Sequence, residues 1–251
     1  MRIAIAGGTG TVGRLVVDSA RSRGHEVVVL SRASGVDVLG GAGIYPALEG
    51  ADVLIDVLNT TTLSTAKAVA FFTAASRSLL AAEERVGVPH HVALSIVGID
   101  GIDTSYYAGK LAQESVIAGS SVPHTIARAA QFHEFAQQIA AQTTIGPLTV
   151  APRTLSRPVA AREVAGHLIT IAEAPPSGRA PDLVGPRNET LASMIRRTYA
   201  HDGIRRRVLD VRFPGAYGAG LASGSLRGGD RTQLVAPTTF DEWLASGHRR
   251  P

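Results

Sequence analysis

Three residues in the middle of the chain, Ser95, Tyr106 and Lys110, could together move a proton. Tyr106 and Lys110 are four apart in a helical stretch, so their side chains share one helix face. A carbonyl that accepts hydride also needs a proton, which a tyrosine can supply when a neighbouring cation lowers its pKa. Lys110 is the candidate cation, and Ser95 could bond the reacting oxygen. Tyr107 competes as the donor because it lies three residues before Lys110. The alternative is that Tyr106 simply packs and Lys110 is a surface lysine.

A glycine-rich turn near the start of the chain could hold phosphate groups. Gly7, Gly10 and Gly13 are spaced Gly-x-x-Gly-x-x-Gly, between an apolar strand pattern and a helical pattern. Gly7 permits a tight turn, Gly10 leaves room for a pyrophosphate, and Gly13 lets the helix approach the sheet. The first helical amides, at Thr11, Val12 and Gly13, and the helix dipole would then bind the anion. This context predicts dinucleotide binding, although a similar turn can be purely structural.

The ends of the next strand patterns indicate which dinucleotide binds. NAD-binding folds usually place a carboxylate where this chain has Ser31 and Arg32, and an arginine there favours the 2′-phosphate of NADP. The alternative is an exposed, solvated Arg32. Asp37 could bond the adenine amine or be an ordinary loop carboxylate. Asn59 could bond ribose or phosphate, or belong to a polar turn, and Lys110 could bond the nicotinamide ribose.

The alternation of strand and helix patterns predicts the fold class. Strand patterns occur at residues 3–6, 27–30, 36–39, 51–58, 92–97 and 125–128, and long helical patterns at 65–86 and 105–118. This order predicts a Rossmann-like, doubly wound parallel α/β sheet. The pattern loosens after residue 135. We therefore expect a dinucleotide-binding domain over residues 1–135 and a small C-terminal substrate lobe over 136–251, with an approximate boundary and interleaved lobes.

Composition limits the classes of function. The chain has 251 residues, 45% of them hydrophobic, which suits one large α/β domain with a smaller lobe. It has no cysteine, which excludes disulfides, thiolate metal sites and a cysteine nucleophile. Its positive charges are scattered, with only one run of three arginines at 205–207, so we expect no nucleic-acid partner. No stretch approaches the roughly 20 apolar residues of a membrane span, and we expect a cytoplasmic protein without a membrane partner.

These motifs together resemble a known family. The segments at residues 7–13, 30–32, 95–98, 106–110 and 125–135 are similar to atypical short-chain dehydrogenases/reductases of the NmrA-like, NAD(P)-binding group. The resemblance covers about the first 135 residues and implies a Rossmann fold with NADPH preferred over NADH. It also implies a reductase triad in Ser95, Tyr106 and Lys110. Some members of the group bind the dinucleotide as redox sensors without catalysis.

The remaining candidates concern substrate and metal. Phe132 and His133 could line a substrate pocket, although a histidine packed in a loop is the more common role. His90 and His91 are neighbours on a strand and face opposite sides, so we expect no metal site.

The leading interpretation is an NADPH-dependent oxidoreductase that transfers hydride to a small carbonyl, quinone or enone, as a monomer or homodimer. A non-catalytic NADP(H) sensor and a nucleotide-sugar epimerase are the alternatives.

Overall fold

The structure is a computed structural model that describes residues 1–229 and 232–247. Its internal contacts divide the chain into two units built from interleaved segments. The first unit consists of Met1–Ser95, Thr104–Arg128 and Arg162–Ala180. The second consists of Ile96–Asp103, Ala129–Ala161 and Pro181–Pro251. The boundary between the units therefore does not fall at a single residue.

The strands and helices have the following bounds. The strands are β1 Arg2–Ala6, β2 Glu26–Leu30, β3 Val53–Asp56, β4 His91–Ile96, β5 His124–Ala129, β6 Thr144–Ile145, β7 Leu148–Pro152, β8 Leu155–Ser156, β9 Gly178–Arg179, β10 Asp182–Val184, β11 Glu189–Thr190, β12 Arg207–Val211 and β13 Gln233–Val235. The helices are α1 Thr11–Ser22, α2 Ile44–Leu48, α3 Thr65–Val86, α4 Ser105–Ala118, α5 Phe135–Thr143, α6 Ala161–Ala172, α7 Leu191–His201, α8 Gly215–Ala222 and α9 Phe240–Ala245. Short 3-10 turns span Arg32–Ser34 and Ser225–Arg227.

The sheet of the first unit has the strand order β2-β1-β3-β4-β5, with β9 pairing β5. Strand β1 runs parallel to both β2 and β3, and β3 runs parallel to β4. The inner strands are buried on both faces, as parallel strands covered by helices should be. Because these strands run the same way, their carboxyl ends lie along one edge, where such folds bind ligands. The predicted Rossmann-like parallel α/β fold is confirmed.

The second unit contains shorter strands around its own core. Strand β10 runs parallel to β13, β11 pairs with β8, and β7 lies between β6 and β12. Helices α5, α7 and α9 contribute to a core that includes Leu191, Ile195, Phe240 and Trp243. The stretch after Pro214 forms α8 and then the second 3-10 turn.

The sequence predicted most elements of the first unit and was wrong about one. The predicted helices at 65–86 and 105–118 coincide with α3 and α4. The predicted strand at 36–39 is a loop. Gly35, Gly41 and Gly43 adopt positive φ around it, and the Asp37 carboxylate accepts a hydrogen bond from the Leu39 amide at 3.0 Å. A side chain that bonds the backbone two residues on favours a turn over a strand.

No helix within the described residues is long and apolar enough to cross a lipid bilayer.

A buried acid–base pair lies in the core of the first unit. Glu83 of α3 and His91 of β4 are both fully buried, and the His91 Nδ1 to Glu83 Oε2 distance is 2.8 Å. Burial raises the pKa of Glu83, and His91 only partly offsets this. Burial alone would lower the pKa of His91, but the Glu83 carboxylate, its hydrogen bond and the charge of Asp56 raise it overall. The folded protein therefore holds a proton at this pair more tightly than the unfolded chain does.

We expect this pair to make stability fall as pH rises. Because the folded pKa of His91 is raised, its contribution is fully present below the unfolded pKa of about 6.5 and is lost as pH rises above it. Urea midpoints should therefore decrease from pH 6 to pH 8. Glu83→Gln removes the charge that raises the pKa of His91 and should abolish or reverse that slope. The neighbouring Glu84→Gln, which changes an exposed carboxylate bonded to Ser121, should keep it. Parallel pH profiles for all three proteins would contradict the assignment.

Candidate functional site

The glycine turn joins β1 to α1 in the form expected for an anion site. Gly7 has φ +82°, and its carbonyl accepts a hydrogen bond from the Gly10 amide at 2.9 Å. A Cβ on Gly13 would lie 2.1 Å from the Gly7 oxygen, so only glycine lets the helix come this close. A Cβ on Gly10 would meet only that oxygen, at 3.2 Å, so the side facing away from the turn is open.

The first turn of α1 supplies the donors at this open side. Gly10 precedes the helix, and Thr11, Val12 and Gly13 are its first residues. The first amides of an α-helix have no carbonyl partner within the helix, and the helix dipole adds positive potential there. These residues therefore fit the pyrophosphate of a dinucleotide.

Arg32 lies exposed just after β2, at the start of a 3-10 turn. The Ser31 hydroxyl caps that turn by accepting from the Ser34 amide at 3.3 Å, so it already has a structural role. Asp37 also has one in its own turn. Among the described residues, the exposed Arg32 side chain forms no hydrogen bond or ion pair, unlike those of Ser31 and Asp37.

Asn59 follows the carboxyl end of β3, at the edge where α1 begins. Its side-chain oxygen accepts from the Thr60 amide at 2.8 Å, and the residue is exposed. Ser64, further along the same loop, caps α3 by accepting from the Lys67 amide. The polar turn predicted here as an alternative role is therefore formed.

Several buried hydroxyl groups of the first unit have no hydrogen-bond partner among the described residues. The Ser95 side chain lies near the end of β4 with 2% exposure, and its Oγ forms no hydrogen bond within the described residues. Thr104 Oγ1 and Ser105 Oγ, which directly precede Tyr106 in the chain, are also buried atoms that form no hydrogen bond within the described residues. Buried polar groups are normally paired, because an unpaired one costs about 1–3 kcal/mol. These hydroxyls fit a ligand that supplies the missing bonds.

Ser105 carries the one positive φ, +56°, found for a residue other than glycine in the described chain. Its amide donates to Thr65 Oγ1 at 2.8 Å, which ties the start of α4 to the start of α3. Such strain persists only when the surroundings impose it, and it is frequent at functional sites. Nothing in the residue type of Ser105 indicates this backbone conformation.

Lys110 points into the first unit and is buried. Its Nζ donates to Gln113 Oε1 at 2.8 Å, to the Leu94 carbonyl at 3.0 Å and to the Leu58 carbonyl at 3.5 Å. It also lies 4.4 Å from the centre of the Phe72 ring. Burial lowers the pKa of Lys110 to about 8, partly offset by the carboxylates of Asp56 and Glu114.

Gln113 and Asp56 complete a network that sequence reasoning missed. Gln113 Nε2 donates to Asp56 Oδ2 at 2.8 Å, and the Leu58 amide donates to Asp56 Oδ1 at 2.9 Å. Asp56 and Gln113 are both buried. A carboxylate at the end of an otherwise apolar strand, three residues before Asn59, was the signal that could have identified Asp56.

The structure does not show the predicted pairing of Tyr106 with Lys110. The Tyr106 ring packs against Phe72 and Tyr107, with centroid distances of 5.7 and 5.9 Å. Burial raises the pKa of Tyr106, and the charge of Asp56 raises it further. The sequence argument required a cation that lowers this pKa. Lys110 instead directs its ammonium to Gln113 and two carbonyls.

The candidate substrate residues lie in the second unit. His133 is 1% exposed, its Nε2 is 3.1 Å from the Thr238 carbonyl, and its ring packs against Phe240 and Trp243. Phe132 is partly buried and bridges to Val159. His133 is therefore packed in the core of the second unit, and its role in a substrate pocket stays a prediction.

Gln131, next to these residues, is a better polar candidate. Both its amide nitrogen and its amide oxygen are buried without a hydrogen-bond partner in the described structure. Neither of two surface depressions, of about 310 and 420 Å³, includes Gln131, the glycine turn or Tyr106. No group of three His, Asp or Glu side chains in the described residues is arranged to hold a metal ion.

Known structures share this architecture over nearly the whole chain. An NADPH-dependent quinone oxidoreductase (QOR2) from Escherichia coli, complexed with NADPH, has a TM-score of 0.73 at 17% identity and covers 97% of this chain and 98% of its own. A dTDP-4-dehydrorhamnose reductase from Bacillus anthracis, in complex with NADP, has a TM-score of 0.75 at 14% identity, covering 97% and 96%.

This chain has the Rossmann-like fold of those NAD(P)-binding proteins. A nucleoside-diphosphate-sugar epimerase from Staphylococcus aureus is similar too, with a TM-score of 0.70 at 15% identity over 98% and 100% of the two chains. No protein-family model matches the sequence, and no curated protein matches it. The resemblance to short-chain dehydrogenases/reductases is thus confirmed at the level of the fold.

The Lys110 network gives a direct test of this geometry. Gln113→Leu should lower the free energy of unfolding by about 2–4 kcal/mol, because the ammonium and Asp56 each lose a buried partner. Adding Lys110→Met to that variant should recover part of the loss by removing the stranded charge. Gln142→Leu, on the exposed side of α5, should change the value by less than about 0.5 kcal/mol. Wild-type stability for Gln113→Leu in urea unfolding would show that the network is not formed.

Proposed function

We propose that this chain is an NADPH-dependent oxidoreductase of the NmrA-like group, acting on a small carbonyl, quinone or enone compound. The observation that carries the proposal is the glycine turn. It leaves an open approach at Gly10 and places the unpartnered first amides of α1 beside that approach. The similarity to a quinone oxidoreductase that binds NADPH supports the same conclusion.

The residues of the first unit would share the work of binding the cofactor. The amides of Thr11, Val12 and Gly13 would hold the pyrophosphate, and Asn59 would bond a ribose or phosphate oxygen. Arg32 would bind the 2′-phosphate with a charge-assisted hydrogen bond, which a carboxylate at this position could not do. When bound, NADPH supplies the hydride.

Tyr106 and Ser95 would serve the substrate oxygen. In the direction of reduction the tyrosine must start protonated, which an ordinary tyrosine already is at neutral pH. Burial raises the pKa of Tyr106, so it is a weaker acid than an exposed tyrosine. Its hydroxyl would donate the proton that the reduced oxygen requires, while the unpartnered Ser95 hydroxyl orients that oxygen.

Lys110 would act from its buried position. The Lys110 ammonium donates three hydrogen bonds, and the one to the Leu58 carbonyl, at 3.5 Å, is the longest. The ammonium hydrogen in this bond is therefore the one most easily redirected to a ribose hydroxyl. The bonds to Gln113 and Leu94 can remain in place. Lys110 would then hold the cofactor and position α4 rather than acidify Tyr106.

One observation favours a second candidate, an NADP(H)-sensing protein without catalysis. The cation expected to activate Tyr106 donates to other groups. A sensor needs the residues that bind the cofactor, but it catalyses no proton transfer and so does not require an activated tyrosine.

Tyr106→Phe separates the two functions. Wild-type protein should oxidise NADPH with at least one member of a panel of quinones, enones and aldehydes. Tyr106→Phe should reduce that turnover by about a hundredfold while leaving NADPH affinity unchanged, because only the proton donor is lost. Tyr107→Phe is the matched control and should retain the rate. A rate that depends on Tyr107 instead would reassign the donor. NADPH binding without turnover of any panel compound would favour the sensor.

Arg32→Asp tests cofactor preference independently of turnover. NADPH should bind about tenfold or more tightly than NADH, since a charge-assisted bond contributes about 1.5–3 kcal/mol. With the substitution, NADH should bind more tightly than NADPH. The new carboxylate repels the 2′-phosphate of NADPH and can accept a hydrogen bond from the ribose hydroxyl of NADH. Arg21→Asp, at the far end of α1, is the control and should preserve the NADPH preference in calorimetric titrations. If the ratio of NADPH affinity to NADH affinity were the same for all three proteins, Arg32 would not be part of the cofactor site.

A further inference from the structure

A short hairpin of the second unit exposes apolar side chains. Strands β6 and β7 are joined at Gly146 and Pro147, and Ile145 pairs with Leu148 across the hairpin. The adjacent pair, Thr144 and Thr149, faces inward, with 2.7 Å between their hydroxyl oxygens. Side chains alternate along strands, so Ile145 and Leu148 face outward and are 79% and 37% exposed.

Three consecutive arginines lie beside this hairpin. Strand β12 runs parallel to β7 and places Arg207 opposite Leu148. The Arg207 amide donates to the Pro147 carbonyl at 3.0 Å, which fixes the two segments together. Arg205, Arg206 and Arg207 are all exposed, and Ile204 just before them is 38% exposed. We call Ile145, Pro147, Leu148, Ile204 and Arg205–Arg207 the basic tip.

The positive charge of the basic tip is only weakly compensated. Arg206 is hydrogen-bonded to the Tyr199 hydroxyl, and within the described residues Arg205 and Arg207 form neither an ion pair nor a side-chain hydrogen bond. Of the nearby carboxylates, Asp202 contacts His201 at 3.0 Å and Asp210 contacts Arg153 at 3.3 Å. The arginines can therefore attract an external anionic surface.

The shape and charge of the basic tip identify its partner. A second copy of this chain would bring like charges together, which opposes self-association through this surface. Apolar side chains exposed at a hairpin turn, and lining neither of the two surface depressions, suit a soft surface that they can enter. Basic residues flanking exposed aliphatic ones are the combination that binds an anionic lipid surface.

We propose that the basic tip docks this chain on an anionic lipid bilayer. Ile145 and Leu148 enter the boundary between headgroups and acyl chains, and Arg205–Arg207 contact lipid phosphates. The expectation of no membrane partner rested on the lack of a spanning segment, and surface docking needs no such segment. The proposal does not depend on the cofactor or on catalysis.

Vesicle co-sedimentation of the full chain tests the proposal. The protein should bind vesicles of 70% phosphatidylcholine and 30% phosphatidylglycerol at 0.05 M salt, bind several-fold less at 0.5 M salt, and fail to bind pure phosphatidylcholine. Hydrogen exchange of the wild-type protein should slow at residues 144–149 and 203–208 when these vesicles are added. This second measurement requires no variant and so does not depend on a variant folding.

Matched substitutions separate charge from apolar insertion. Arg207→Glu should weaken partition at least about fivefold, since one basic residue near an anionic surface contributes about 1 kcal/mol. Ile145→Ser should weaken it about tenfold by removing an inserted aliphatic side chain. Arg77→Glu, on the exposed surface of α3, and Leu39→Ser, at a 49% exposed loop position, are the controls and should leave partition unchanged.

Three results would overturn the proposal. These are no binding to the anionic vesicles at low salt, equal losses from the controls, or exchange protection located outside the basic tip. Binding to poly-glutamate but not to vesicles would instead assign the basic tip to an acidic protein partner.

Discussion

The buried carboxylate of Asp56 is the group on which the polar interior of the first unit depends. It receives the Leu58 amide from its own strand end and the Gln113 amide from α4, and Gln113 in turn accepts from Lys110. One charge thus orders a strand end, a helix and a buried ammonium. Loss of one partner from such a buried set costs about 2–4 kcal/mol, a large part of the roughly 5–15 kcal/mol that stabilises a domain.

The field of Asp56 also reaches groups that it does not touch. Burial is the largest influence on the pKa of Tyr106, of Glu83, of His91 and of Lys110, and the charge of Asp56 adds an upward contribution to each. One carboxylate therefore acts on four titratable groups in a poorly screened interior.

The sequence predicted those elements whose structure is determined by residues close together in the chain. The glycine turn, α3 and α4 followed from periodicity and helix-end signals, because a repeat of apolar residues and a terminal glycine act within a few residues. The same kind of pattern wrongly predicted a strand at 36–39, because the Asp37 side chain bonds the backbone of a turn there and competes with strand pairing. The Asp56–Gln113 bond joins residues 57 apart, and no periodicity encodes such a pair. Likewise, nothing in the sequence indicated the positive φ of Ser105, whose amide donates to Thr65 in another helix.

The position of the Lys110 ammonium shows that the spacing of two residues can predict a shared helix face without predicting which groups their side chains contact. The backbone of α4 places Tyr106 and Lys110 on one face, as the spacing predicted, but their side chains then obey different constraints. The rigid tyrosine ring stays where it packs against Phe72. The four-carbon stem of lysine can carry the ammonium to whichever acceptors are available, and buried oxygens on Gln113 and Leu94 hold it. The helix therefore determines where Tyr106 can act, whereas the acceptors around Lys110, above all the Asp56–Gln113 pair, determine whether the lysine serves the cofactor or only the core.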